Sequence, residues 1–287
     1  MNNQQHLNPS FIRQLQSFEG SDEQVAFGSP AEGPFGNKTV SRSGRLIINA
    51  DDWGRDQKTT ARILSCVARG SISSVSAMVF MRDSERASEL ARSDQLDAGL
   101  HLNFCEPFTA GKCPILLETQ QTRLSHFLMS GRYSQLFYHP FLRKAFHHSY
   151  IAQAEEFLRL YKKPPSHIDG HHHMHLCANL ILSHLVPTGM RIRRNFSFWP
   201  GEKNWFNRAY RSLVDRWLAR RYRLTDYFFD LTQSIRGKKM DRVMALAEST
   251  KVELMTHPIL ELESDYLMSD QFQTMLQRVE VGGYVLV

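Results

Sequence analysis

The chain is poor in cysteine. Cys66, Cys105, Cys113 and Cys177 are its only four, and no two stand as a Cys-x-x-Cys pair, which excludes a zinc ribbon and a dense disulfide framework. It also lacks any uninterrupted apolar run approaching the roughly 18 residues of a membrane-spanning helix. The segment from Met1 to Gly44 has no apolar stretch of signal-peptide type. Its Gln, Asn, Ser, Gly and Pro content reads instead as a flexible N-terminal extension over residues 1–44. Beyond that extension there is no internal repeat or low-complexity tract. These absences lead to the expectation of a soluble, cytoplasmic protein with reduced thiols. Residues 45–287 are then enough to bury one large core, and a charged fraction of 22% beside 42% hydrophobic residues suits a globular fold.

The net charge of +6 is unevenly distributed. Between Arg191 and Arg223 ten Lys or Arg face only Glu202 and Asp215, a local balance of +8 that leaves −2 for the rest of the chain. The same segment carries Trp205, Phe206, Tyr210, Leu213, Val214, Trp217 and Leu218 at roughly helical spacing. Basic and aromatic residues so interleaved suit an anionic membrane surface, an acidic substrate or nucleic acid. The ordinary reading is a helix whose aromatic stripe packs on the protein and whose basic rim is solvated.

From Arg45 onward β-rich runs alternate with helical ones. Strands are expected over Arg45–Ala50, Ser73–Phe80, Asp97–Phe104, Ser166–Gly170, Met190–Arg194, Asp226–Leu231, Val252–Thr256 and Tyr284–Val287. Helices are expected over Gln57–Arg69, Asp83–Arg92 and, after an aromatic-rich interruption at Leu116–Tyr138, near His147–Tyr161, where Pro164-Pro165 must end the helix. Repeated β-then-α units imply a parallel sheet, either doubly wound or closed into a (β/α) barrel. Asp51-Asp52, His101, His171 and His257 then fall at C-terminal strand ends, the edge both architectures use for chemistry.

The densest signal is His167-Ile-Asp-Gly-His-His-His-Met-His175, with five histidines in nine positions. Its odd positions, His167, Asp169, His171, His173 and His175, have the period-2 spacing of one strand face. Imidazole and carboxylate together suit a borderline or hard divalent cation that keeps an open position for water. Not all of these histidines can bind one such ion, so most must support ligands or face substrate. The pair His147-His148 sits in the expected helix without matching carboxylates and reads as surface. Asn103, Arg193 and Arg194, near strand ends, are candidates to touch a sugar hydroxyl or an anionic group.

Four fragments in order, Asn49-Ala-Asp-Asp-Trp-Gly54, Gly99-Leu-His-Leu-Asn103, His167–His175 and Thr256-His257-Pro258, resemble the YdjC-like carbohydrate deacetylases, also called the ChbG/HpnK family. The resemblance spans about residues 45–287. It implies an α/β fold, a distorted TIM-like (β/α) barrel in a single domain. It also implies metal-dependent hydrolysis of the N-acetyl group of an acetamido sugar, borne by an oligosaccharide or a glycolipid. Asp52, His101 and His171 are implied as ligands of one divalent ion, Mg or Zn, with Asp51 as general base and His257 as general acid. Asp169, His173, His175 and Asn103 are left to support the ligands or meet substrate. Two departures from the family pattern, Trp53 for Phe and Gly170 for Ser, spare the implied ligands. The lipid-related branch of the family admits peripheral membrane contact, and a homodimer is compatible with the sequence; no nucleic acid is expected as a partner.

Physical argument alone leads nearby. Amide hydrolysis needs a nucleophile, a place for the oxyanion and a proton for the departing amine, and a cation held by one carboxylate and two imidazoles meets the first two needs. The competing reading is a peripheral membrane or nucleic-acid binding protein that works through segment 191–223 and carries a degenerate metal site. A metallophosphoesterase would need more bridging carboxylates than Asp51, Asp52 and Asp169 offer.

Overall fold

The apolar run Leu46-Ile47-Ile48 forms the middle of the central strand, β1 (Arg45–Trp53), in which every residue after Arg45 is buried. Burial on both faces is the mark of a parallel sheet covered by helices, and it explains a continuous apolar run in place of alternation. The computed structural model describes residues 44–131, 133–199 and 201–284. Five further strands follow: β2 (Ser74–Ala77), β3 (Ala98–Leu102), β4 (Ile168–Gly170), β5 (Tyr227–Asp230) and β6 (Lys251–Thr256). All pair in parallel, in the order β4-β3-β2-β1-β6-β5.

Among the described residues the helices are α1 (Gln57–Ala68), α2 (Ser84–Ser93), α3 (Ile115–Met129), α4 (Arg143–Tyr161), α5 (Ala178–Leu182), α6 (Trp205–Leu218), α7 (Leu231–Arg236), α8 (Met240–Ala247), α9 (Glu261–Met268) and α10 (Asp270–Leu276). Local chemistry sets their ends. The Asp56 carboxylate accepts from the Thr59 backbone N–H and starts α1, a cap worth about 1 kcal/mol. Its Thr59, Thr60, Ile63 and Cys66 then recur on the buried side. Lys162, in the left-handed region at φ 58°, closes α4 ahead of Pro164-Pro165.

Segment 191–197 joins the two edges of the sheet. Ile192 bridges Ile168 of β4, Arg191 bridges Arg223, and the Ser197 N–H donates to the Phe228 carbonyl of β5 at 2.8 Å. The curled sheet thereby becomes a distorted barrel with an irregular stave between β4 and β5. The strand expected over Met190–Arg194 is therefore reduced to isolated bridges. The interruption expected at Leu116–Tyr138 contains a regular helix, α3. The flexible extension expected over 1–44 lies, apart from Gly44, outside the described residues, as does all of the strand expected at Tyr284–Val287 except Tyr284.

Two open readings are decided. The strand before the histidine run ends where expected, at Gly170, and the period-2 spacing does not continue: His171–Leu176 coils into a 3-10 turn in which His172 and His173 take left-handed φ values of 52° and 58°. The aromatic stripe of α6 packs on the protein only towards its C-terminal end, where half-buried Trp217 stacks on His184. Leu218 and Asp215 are the buried residues of that helix, whereas Trp205, Phe206, Tyr210 and Leu213 are exposed. The cysteines are all free, and no described helix is long and apolar enough to cross a membrane.

Candidate active site

Adjacent residues on a regular strand point to opposite faces, so Asp51 and Asp52 could not share a pocket if β1 stayed regular. It does not. The register with β2 shifts between Ala50 and Trp53, and Asp52 takes φ 67°. This bulge at the strand end turns both carboxylates into one cavity of about 410 Å³. His101 from β3, Gly170 at the end of β4, His171, His172 and His173 after it, and His257 after β6 line the same cavity.

Asp52 is the hub of one cluster. Its Oδ1 lies 2.9 Å from His171 Nδ1 and 3.5 Å from His101 Nε2. Burial would raise its carboxyl, but the hydrogen bonds and charge of the two imidazoles hold it well below the usual carboxylate range. His101 Nδ1 is hydrogen-bonded to Asp169 Oδ1 at 2.8 Å, which fixes the ring and leaves Nε2 facing Asp52. Burial disfavours a charged His101, yet the Asp169 and Asp51 carboxylates outweigh it and push the imidazole up to about 10.

That donor set fits a divalent cation. His101 Nε2 and His171 Nε2 are buried atoms without a hydrogen-bond partner among the described residues. His171 Nε2 does stand 3.1 Å from Glu106 Oε1, but not in hydrogen-bonding geometry. Asp52, His101 and His171 present ligand atoms that all lie within 4.8 Å of one another, and one carboxylate with two imidazoles is a common catalytic set.

Asp51 belongs to a second cluster, built on Arg193. This fully buried guanidinium grips both Asp51 oxygens, at 2.6 and 2.7 Å, in a bidentate pair. It also meets Asp169 Oδ2 at 2.7 Å and Glu253 Oε1 at 2.6 Å. Burial pushes the Glu253 carboxyl up to about 7, with Arg193 opposing the rise. Arg193 therefore touches no solvent, and of its two candidate contacts, a sugar hydroxyl or an anionic group, it makes only the second, with the protein's own carboxylates. Arg194 is likewise engaged, with Asp215 at 2.8 Å.

Across the cavity, His257 Nε2 lies 3.9 Å from Asp51 Oδ2, and its backbone N–H donates to buried Glu263. The remaining histidines sort by position. His172 is exposed at the mouth, and half-buried His173 lines the wall edge-on to Phe196. His175 lies behind that wall with Nε2 3.0 Å from the Arg193 carbonyl. His167 sits in the core, stacked on Tyr284 and hydrogen-bonded to Ser76 and Ser166. A Cβ on Gly99 would fall 2.2 Å from the His167 ring, so that position of β3 requires glycine. Burial draws both His167 and His175 down to about 4, so both are neutral.

Asn103 does not face the cavity. Its Oδ1 accepts from the Cys105 and Glu106 N–H groups and its Nδ2 donates to the Glu106 carbonyl, an Asx turn that folds the chain back after β3. The turn delivers Glu106 to the lip of the cavity, where Arg55 bridges it at 2.7 Å and Asp52 at 3.3 Å. Sequence reasoning missed Glu106 and Arg55. The spacing Asn103-x-x-Glu106, a turn-former three residues before a carboxylate, was the available signal.

The model of the YdjC-like protein family matches residues 45–278. A carbohydrate deacetylase of Vibrio cholerae serotype O1 is 30% identical over 219 residues, which cover 75% of this chain and 78% of the relative. A chitooligosaccharide deacetylase of Proteus mirabilis is 26% identical over 229 residues, covering 74% and 80%. Among solved structures, an Enterococcus faecalis protein named as a candidate for cellobiose-phosphate cleavage superposes with a TM-score of 0.59. It shares 18% identity, over 84% of this chain and 97% of that one, a likeness of fold.

Proposed function

We propose, for a chain that belongs to the YdjC-like protein family, that its cavity hydrolyses the N-acetyl group of an acetamido sugar with the help of one divalent cation. The observation that carries this reading is the β1 bulge, which sends Asp51 and Asp52 to two different clusters in one cavity. The names of the relatives, carbohydrate deacetylase and chitooligosaccharide deacetylase, support the substrate class.

Asp52, His101 and His171 would hold the ion. When bound it would supply Lewis acidity for the acetyl carbonyl and lower the pKa of water. Mg and Zn both suit the donor set, since two imidazoles favour zinc and the carboxylate with open positions also admits magnesium. Asp169 fixes the His101 ring. Asp51, held by Arg193 with its carboxylate toward the cavity, accepts a proton from the attacking water. The water oxygen bonds to the acetyl carbon, the carbon–nitrogen bond breaks, and acetate departs. His257, whose Nε2 lies 3.9 Å from Asp51 Oδ2, gives the nitrogen its proton. Arg193 orients Asp51 but reaches no substrate, so it acts as a positioning residue.

Mass-spectrometric screening of N-acetylated sugars, from chitooligosaccharides to glycolipids, tests the proposal. Loss of one acetyl group with release of the free amine is expected from at least one of them. Cleavage of a glycosidic or phosphate bond with every acetyl group intact would overturn it.

A further inference from the structure

We propose that the outward face of α6, with the apolar groove beside it, is a docking surface for an anionic membrane. The proposal concerns a surface apart from the catalytic cavity and does not depend on the reaction performed there. Helix α6 is amphipathic in the reverse of the usual sense. Its buried residues are Asp215 and Leu218, with Asn207, Arg211 and Val214 half-buried on the same side. The opposite side carries Trp205, Phe206, Tyr210 and Leu213, which are 68%, 66%, 50% and 62% exposed. A soluble helix puts its apolar arc on the core; one that lies in a membrane interface puts it outward.

The inward side is anchored by polar groups. Asp215 accepts from the Arg194 guanidinium and from the backbone and side-chain amides of Asn195, so the burial of a carboxylate sets the helix's rotation. With Asp215 held inward, the apolar arc must face out. It borders a groove of about 580 Å³, where Tyr210, Leu213 and Trp217 of α6 meet Ile181 and Leu182 and the exposed Leu136. A groove of this size with such walls admits acyl chains or the tail of a lipid.

Charge selects the occupant. Arg216 and Arg220 line the groove itself, Arg208 and Arg223 are exposed nearby, and none of these four has an ion-pair partner among the described residues. These four guanidinium groups beside an apolar face are complementary to an anionic head-group layer. A second copy placed on this face about a twofold axis would bring the same arginines together, and their repulsion argues against it.

Sedimentation of the full chain with vesicles tests the surface, using phosphatidylglycerol and phosphatidylcholine in equal parts against phosphatidylcholine alone. Binding to the anionic vesicles at low salt is expected, weakened about tenfold or more at high salt and by Arg216→Glu with Arg220→Glu. Trp205→Ser with Leu213→Ser should weaken it as well, while deacetylation of a soluble sugar stays unchanged. A blue shift of tryptophan emission on binding should be lost in the Trp205→Ser, Leu213→Ser variant. Three results would overturn the proposal: no binding to anionic vesicles at low salt, binding that none of these substitutions alters, or a dimer that Leu213→Ser dissolves.

Discussion

The histidine run 167–175 and the basic aromatic segment 191–223 both depart from the rule that polar residues face out and apolar residues in, but in opposite directions. The first buries imidazoles around carboxylates at the ends of β3 and β4; the second leaves Trp205, Phe206 and Leu213 in solvent. Arg193 belongs by sequence to the second region and by contact to the first. One segment thus supplies the buried guanidinium that three carboxylates share at the cavity floor and the several without an ion-pair partner outside. Composition alone cannot divide them; burial and partners do.

Four measurements can break or sharpen that contrast. The largest effect should come from the cavity: Asp51→Asn should keep the fold and lower turnover by about 10²–10⁴-fold, the scale of a lost general base. Near-normal turnover with metal present would remove Asp51 from the reaction. Next, Arg193→Met leaves Asp51, Asp169 and Glu253 without their shared partner and should cost about 3–5 kcal/mol in urea unfolding. Arg216→Met, from the solvated group, should change stability by no more than about 0.5 kcal/mol. Equal losses would dissolve the distinction between the two kinds of arginine.

Within α6 the contrast can be made at five residues' distance. Leu218→Ala should cost about 2–5 kcal/mol, because Leu218 is buried against the protein. Leu213→Ala should stay within about 0.5 kcal/mol if that side chain faces solvent. The smallest effect is on pH. His167 and His175 are held neutral in the fold with pKa values drawn down from 6.5 to about 4. Their contribution is complete above 6.5 and lost as pH falls through 4, so the urea midpoint should decline over that window. His167→Gln should flatten part of the decline, and an unchanged slope would contradict the burial of a neutral ring.

The parallel sheet and the helices α1, α2 and α4 were legible because apolar runs and caps act locally: β1, β6, α1 and α2 fall within a few residues of the patterns that announce them. The short stave at 191–197 was not, since its pairing with β4 and β5 comes from barrel closure and not from its own pattern. The candidate site residues were named from residue type and resemblance, and the structure brings Asp51, Asp52, His101, His171, His173 and His257 to one cavity. Periodicity failed at His172 and His173, because two left-handed residues reverse the chain where an extended strand would continue. Arg193 was left between a sugar hydroxyl and an anionic group because nothing local reveals that three carboxylates from separate strands converge on it. The orientation of α6 was left open for a similar reason: Asp215, not the aromatic stripe, decides which side turns inward.

Acetate release from an N-acetylglucosamine oligomer tests the central claim most directly, followed for the protein as purified, after chelation, and after Zn or Mg is returned. The account predicts release that chelation abolishes and a returned ion restores, with Asp52→Ala, His101→Ala and His171→Ala folded but unable to bind the ion or recover activity. Undiminished release after chelation, or full ion occupancy in all three variants, would contradict it.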